Sequence, residues 1–252
     1  LAKLSGVMVS VIDTDRGLFA ADDVSRLYRR PSSFSPRTRL VVTEQTSNLG
    51  GGAVWPLDQI QAVSRTAADL GLSVHMDGAR VLNASVATGI SVSDYASMHD
   101  SAWLAFTKGL GCPVGAVLTG SRDFIREAWH FKRMFGGAMR QTGVLTGMCL
   151  YALDHHVERL SEDHARAKRI ETFLSGCKLF SRVLPVETNI VLAEIATDAD
   201  FTAQELRDFL AKKNVQVMAV GSDRLRMITH LDVDDVAVDR LFEAIETAES
   251  LE

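Results

Sequence analysis

The stretch that most limits how this chain can fold is Ser101 to Gly120, SAWLAFTKGLGCPVGAVLTG. An apolar run, WLAFT, stops at Lys108. The turn GLGCPVG follows, and a second apolar run, AVLTG, heads back, so the pattern predicts strand, lysine, tight turn and strand. A lysine at the carboxyl end of a buried strand sits at the rim of a sheet, where α/β proteins bind their ligands. Its neighbours are too apolar to solvate an ammonium well, and partial desolvation lowers an amine's pKa and makes it nucleophilic. A lone lysine of this kind more often snorkels to solvent than reacts. The chemistry therefore turns on what stands beside it.

That neighbour lies 31 positions upstream of Lys108, in LSVHMDGAR. Leu72 to Met76 read as a buried strand with Asp77 at its end; Gly78 turns the chain, and Arg80 opens a helix, ARVLNASVATG. The spacing from Asp77 to Lys108 fits one strand–helix–strand crossover, which returns the chain to the same edge of a parallel sheet. Both side chains then face one rim. An acid and a lysine converging at strand ends are the two contacts a pyridoxal phosphate site requires, the lysine for the aldehyde and the carboxylate for the ring nitrogen.

With 252 residues and 46% hydrophobic content, the chain is long enough to bury a large core, in one broad domain or in one domain plus a smaller one. A net charge of −5 without a clustered basic stripe argues against nucleic acid as a partner. No apolar run approaches bilayer-spanning length, so no membrane partner is expected, and LAKLSGVMVSVIDTD lacks the regions of a signal peptide. Three cysteines, Cys112, Cys149 and Cys177, stand at no metal-like spacing and read as free thiols of a reducing cytoplasm.

In chain order, Leu4 to Ile12 predict a strand, and Ala21-Asp22-Asp23 start a helix with an aspartate at its amino end. RTRLVVTE predicts the next strand, followed by the glycine-rich loop TSNLGGGAVWP. Its triple glycine has no GK[ST] sequel, so it reads as a mobile or close-approach loop with Asn48 as its main polar contributor. Leu57 to Leu70 show helical periodicity behind Pro56. Asp123 to Phe135 form a helix ended by Gly136-Gly137, and a second, long helix runs from near Met139 through Leu174. His155, His156 and His164 on it are expected at the surface, with no metal site. From Gly176, short strands alternate with two helices, as in a small α+β domain with an antiparallel sheet. Arg226, between Leu225 and Met227 in one such strand, points to the face opposite theirs.

HMDGAR, TKGLGCPVG, MFGGAMRQTG and LRMITHLDV, in this order over nearly the whole chain, resemble the threonine aldolases and the wider β-eliminating lyase group of fold-type-I pyridoxal phosphate enzymes. EQTSNLGGGAVWPL is similar to the same family, particularly its low-specificity L-threonine and phenylserine aldolases. The resemblance implies an α/β fold. A mainly parallel sheet sandwiched by helices would form a pyridoxal-phosphate-binding large domain over residues 1–150, incomplete at its amino end, with a connecting helix over 151–175 and a small α+β domain over 176–252. It implies a cytoplasmic lyase of amino-acid metabolism that cleaves threonine, allo-threonine or phenylserine to glycine and an aldehyde. Lys108 would carry the cofactor as a Schiff base and Asp77 would keep its ring nitrogen protonated. Arg80 and Arg226, with Asn48 beside them, would bind the substrate carboxylate, with Arg80 also near the cofactor. Arg140 would lie near the cofactor phosphate, supplied across a homo-oligomer, dimer or tetramer, whose site is shared between subunits. Relatives carry a histidine where Phe34 stands here. Upstream of Leu1 they carry a glycine-threonine phosphate cup and a ring-stacking histidine. The same four residues, Lys108, Asp77, Arg80 and Arg226, equally suit a β-eliminating lyase or an amino-acid racemase, and an incomplete site would suit a non-catalytic relative.

Overall fold

The computed structural model describes residues 1–251. A short helix, α1 (Ala2–Ser5), and an irregular stretch precede α2 (Ala21–Leu27). The first sheet is then built from β1 (Leu40–Glu44), α3 (Leu57–Asp69), β2 (Ser73–Gly78), α4 (Val81–Thr88), α5 (Val92–Ser97), β3 (Ser101–Ala105) and β4 (Ala116–Gly120). Its strand order is β1-β2-β3-β4. The first three strands are parallel, linked by helical crossovers, and β4 returns antiparallel to β3 through the Lys108 turn. Two exposed elements follow, α6 (Arg122–Met134) and most of α7 (Gly143–His155), and then α8 (Leu160–Leu174).

The second sheet is antiparallel, in the order β5-β6-β8-β7, from β5 (Phe180–Val183), β6 (Ile190–Ile195), β7 (Met218–Val220) and β8 (Arg224–Ile228). It packs with α8, α9 (Ala203–Lys212) and α10 (Asp235–Glu249) around a core that includes Leu174, Leu206, Leu210, Leu225 and Ile245. A separate core lies under the first sheet, with Trp55, Ile60, Val74, Met76 and Tyr95. The helix α9 starts on a reciprocal cap: Thr202 Oγ1 accepts the Glu205 N–H while Glu205 accepts the Thr202 N–H.

Three expectations give way here. The strand expected over Leu4 to Ile12 does not form: Leu4 and Ser5 lie in α1, and residues 7–12 have no strand beside them among the described residues, so the extended segment has no ladder to join. Val9 and Val11 stay exposed in consequence. The long helix expected from Met139 to Leu174 is two, broken at residues 156–159. His156 Nδ1 lies 2.7 Å from the Leu110 carbonyl, and Arg159 grips the fully buried Asp163 carboxylate through both terminal nitrogens, at 3.2 and 2.8 Å. The His156 contact is tertiary and falls at the break, and the Arg159–Asp163 pair, one turn apart, holds the start of α8. His164, also expected at the surface, is half-buried with Nε2 3.1 Å from the Asn83 amide, and burial lowers its pKa.

The glycine-rich loop is a close-approach loop. A side chain at Gly50 would sit 1.9 Å from the Arg16 carbonyl oxygen, and one at Gly52 would sit 2.5 Å from Thr188 Oγ1. Arg16 ties the loop down: its Nε donates to the Gly50 carbonyl at 2.7 Å, and its Nη2 donates to the Pro185 carbonyl and to Glu187. The Glu187 carboxylate in turn accepts the Val54 N–H at 2.9 Å. The loop thus joins the two sheets.

Leu225 is fully buried in the second core while its neighbour Arg226 faces the other way. Truncating Leu225 to alanine is expected to cost about 2–5 kcal/mol of unfolding free energy by cavity formation, read as a lower urea midpoint with an unchanged slope.

Candidate active site

Strand register sets the floor of the site. Glu44 of β1 pairs with Asp77 of β2, and Asp77 with Trp103 of β3. Residues paired in this way point to one face of the sheet, so two carboxylates and an indole stand in a row at the carboxyl ends of three strands. Asp77 Oδ1 accepts the Ala79 N–H at 3.1 Å, which fixes the carboxylate where the strand turns. Gly78 permits the close turn, since a side chain there would meet the Trp103 carbonyl oxygen at 2.3 Å.

Lys108 enters from the turn between β3 and β4, its Nζ 5.5 Å from the centre of the Trp103 ring. Its amine is easier to deprotonate than an ordinary lysine's. Partial burial is the main cause and the Arg80 guanidinium the next, while Asp77 and Glu44 pull the other way and Arg226 adds a smaller push. The other lysine of this region, Lys132, lies on exposed α6 over the Trp129 ring at 4.7 Å.

Two arginines close the cluster. Arg80 caps α4, is buried, and is fixed by its backbone N–H on the Gln45 carbonyl at 3.1 Å. Arg226 projects from β8, where it pairs with Leu192 and Met218; its Nη2 donates to Asn48 Oδ1 and its buried Nε has no protein partner. Burial makes both guanidinium groups easier to deprotonate, and at Arg80 the neighbouring Arg226 adds to the effect. A buried donor left open and two facing cations form a place for an anionic group to bind.

The structure therefore brings Lys108, Asp77, Arg80, Asn48 and Arg226 together. It joins Arg140 to none of them: this residue is exposed on the connection between α6 and α7, with no hydrogen bond or ion pair linking it to the cluster among the described residues. Phe34 is 97% exposed on a loop. Glu44 was missed. Its Oε2 accepts the Asn48 N–H at 3.0 Å, holding the residue that Arg226 grips, and its pKa is raised by burial and by Asp77. The signal was present in the sequence: an acid ends the β1 run just as Asp77 ends the β2 run.

A mixed sheet with an anion-accepting cluster and a strand-end lysine places the chain in a known α/β architecture. A threonine aldolase structure from Leishmania major superposes with a TM-score of 0.76 at 17% identity, covering 99% of this chain and 72% of that one. A 4-hydroxyphenylacetaldehyde synthase from Rhodiola rosea superposes with a TM-score of 0.74 at 16% identity over 99% of this chain and 59% of that one. Residues 1–198 match the β-eliminating lyase family, and the chain belongs to it. The low-specificity L-threonine aldolase of Escherichia coli K12 is 33% identical over 233 residues, 92% of this chain and 67% of that protein. Low-specificity L-threonine aldolase 1 of Arabidopsis thaliana is 32% identical over 234 residues, 91% of this chain. The chain spans 65% of the length of the Arabidopsis protein and 60% of that of a relative from Caenorhabditis elegans.

The charges around Lys108 give a titration with a definite sign. Asp77→Asn removes a carboxylate that favours the ammonium, so the Lys108 amine should titrate at lower pH than in the parent; Arg80→Met removes a repelling cation and should move it up. Carbon-13 NMR of reductively methylated protein, with the Lys108→Arg variant used to assign the signal, reads both shifts.

Proposed function

We propose that this protein is a pyridoxal-phosphate-dependent aldehyde-lyase that cleaves a β-hydroxy-α-amino acid of the threonine, allo-threonine or phenylserine type into glycine and an aldehyde. The observation that carries the reading is the convergence of a deprotonation-prone Lys108, the Asp77 carboxylate and the Arg80–Arg226 pair at one sheet rim. The names of the relatives point the same way.

The donor set fits pyridoxal 5'-phosphate. Lys108 offers an amine for its aldehyde and Asp77 a carboxylate for its ring nitrogen, while the open buried N–H of Arg226 beside a second guanidinium is left for the substrate's carboxylate. When bound, the cofactor supplies an electron sink for the pair released as the Cα–Cβ bond breaks. Asp77 holds a proton on the ring nitrogen, so its loss should damage chemistry more than cofactor capture. Arg80 and Arg226 bind the substrate carboxylate, and Asn48, anchored by Glu44, keeps the Arg226 fork in its plane. The Arg140 role at the cofactor phosphate belongs to an assembled oligomer. Supporting an oligomer, β4, α6 and α7 leave Leu118, Trp129, Phe131, Met134 and Val144 exposed on one run of chain. A large residue-1–150 unit and a small residue-176–252 unit, bridged by 151–175, are the proposed domains. A cytoplasmic location belongs to the same proposal; no described helix is long and apolar enough to cross a membrane.

Product analysis tests the reaction: glycine plus aldehyde is expected from threonine or phenylserine, whereas pyruvate with ammonia, or inversion at Cα, would replace the proposal with elimination or racemisation. Borohydride reduction of the cofactor-loaded protein should label Lys108, and label on another lysine would refute its assignment. Removing the Arg226 fork (Arg226→Ala) gives up charged hydrogen bonds of about 1.5–3 kcal/mol, so kcat/KM should fall by about tenfold to a hundredfold. Sedimentation should show an oligomer, and a monomer that turns over substrate would contradict the shared site.

A further inference from the structure

The proposed chemistry uses none of the three cysteines, and two of them meet. Cys112 lies in the turn four residues past Lys108 and is buried; Cys149 lies on α7 and is half-buried. Their thiols reach across each other. Cys112 Sγ–H donates to the carbonyl of Met148, the residue before Cys149, at 3.8 Å. Cys149 Sγ–H donates to the carbonyl of Val114, two residues past Cys112, at 3.6 Å. Gly115 leaves the space for this: a side chain there would sit 3.0 Å from Cys149 Sγ and 3.5 Å from Phe106 Cβ. Each thiol therefore reaches the backbone beside the other cysteine.

We propose that Cys112 and Cys149 are a dithiol modification site that exchanges with small glutathione-type disulfides and closes to an intramolecular disulfide. Access orders the two steps. Cys149 is the more exposed, whereas burial, and next the Cys149 thiol, raise the Cys112 pKa and hold it as a thiol. The Cys149 thiolate attacks one sulfur of the glutathione disulfide, forms a mixed disulfide and expels one glutathione thiolate. Cys112 then gives up its proton and attacks the Cys149 sulfur, forming the protein disulfide and expelling the second glutathione. Two protein thiols are oxidised and one glutathione disulfide is reduced to two thiols. The new bond ties the Lys108 turn to α7 beside an open cleft of about 420 Å³ whose walls include Gly111, Cys112, Gly147 and Met148.

Cys177 is the internal control. It lies in the other core, and burial, followed by the nearby Glu249, pushes its thiol up to about 11. The full chain is incubated with oxidised glutathione, and intact mass and a non-reducing peptide map are taken. The parent protein should lose the mass of two hydrogens, retain no glutathione, yield a Cys112–Cys149 linked peptide and revert with dithiothreitol. Cys112→Ser should trap one glutathione on Cys149, and Cys149→Ser should leave Cys112 unmodified. The parent map decides without either variant. A parent protein that does not react, that keeps glutathione on Cys149 without a linked peptide, that links either residue to Cys177, or that cross-links two chains would overturn the proposal.

Discussion

The hydrogen bond from Arg226 to Asn48 is the one contact on which the site's two halves both depend. The guanidinium belongs to the antiparallel sheet and the amide to the loop after the first parallel strand, so neither sheet alone presents the cluster. Burying a guanidinium with an unsatisfied Nε is unfavourable unless surrounding structure fixes it. Here β6 and β7 flank β8 on both sides, the opposite face of the strand is anchored by Leu225 and Met227, and Glu44 holds the Asn48 backbone. The Arg16–Glu187 clamp keeps the glycine loop in place behind it.

Charge balance follows from that arrangement. Three cations and two carboxylates share one sheet rim: the arginines weaken the proton on Lys108, and Asp77 strengthens the one on Glu44. An excess of positive charge in a partly buried rim disfavours the empty site and favours one filled by an anion. The indole of Trp103 adds a face that tolerates a cation or a planar ring equally well.

Much of this was legible in the sequence because it depended on local pattern. The apolar runs ending in Asp77 and Lys108 fixed a crossover and a rim, and the alternation around Arg226 fixed its face. What escaped depended on distant partners. Whether residues 7–12 pair is decided by what lies beside them, and the break after His155 falls where His156 meets the distant Leu110 carbonyl, which helical periodicity does not report. Glu44 was overlooked for a related reason: a strand-end acid gains meaning only once register places it beside Asp77. Arg140, assigned by motif, stands outside the cluster because its position is set by a surface connection and not by either sheet.

Arg226 and Asn48 are separated by 178 positions, the longest reach of any hydrogen bond in the cluster. Ribosomes deliver the chain from its amino end, so the lysine and aspartate emerge well before the strand that completes their surroundings. A nascent chain stalled short of β8 can form the parallel strands and the Lys108 turn, yet it lacks the arginine that grips Asn48. Completion of the cluster is therefore a late event in biosynthesis, since its Arg226 emerges after every other member.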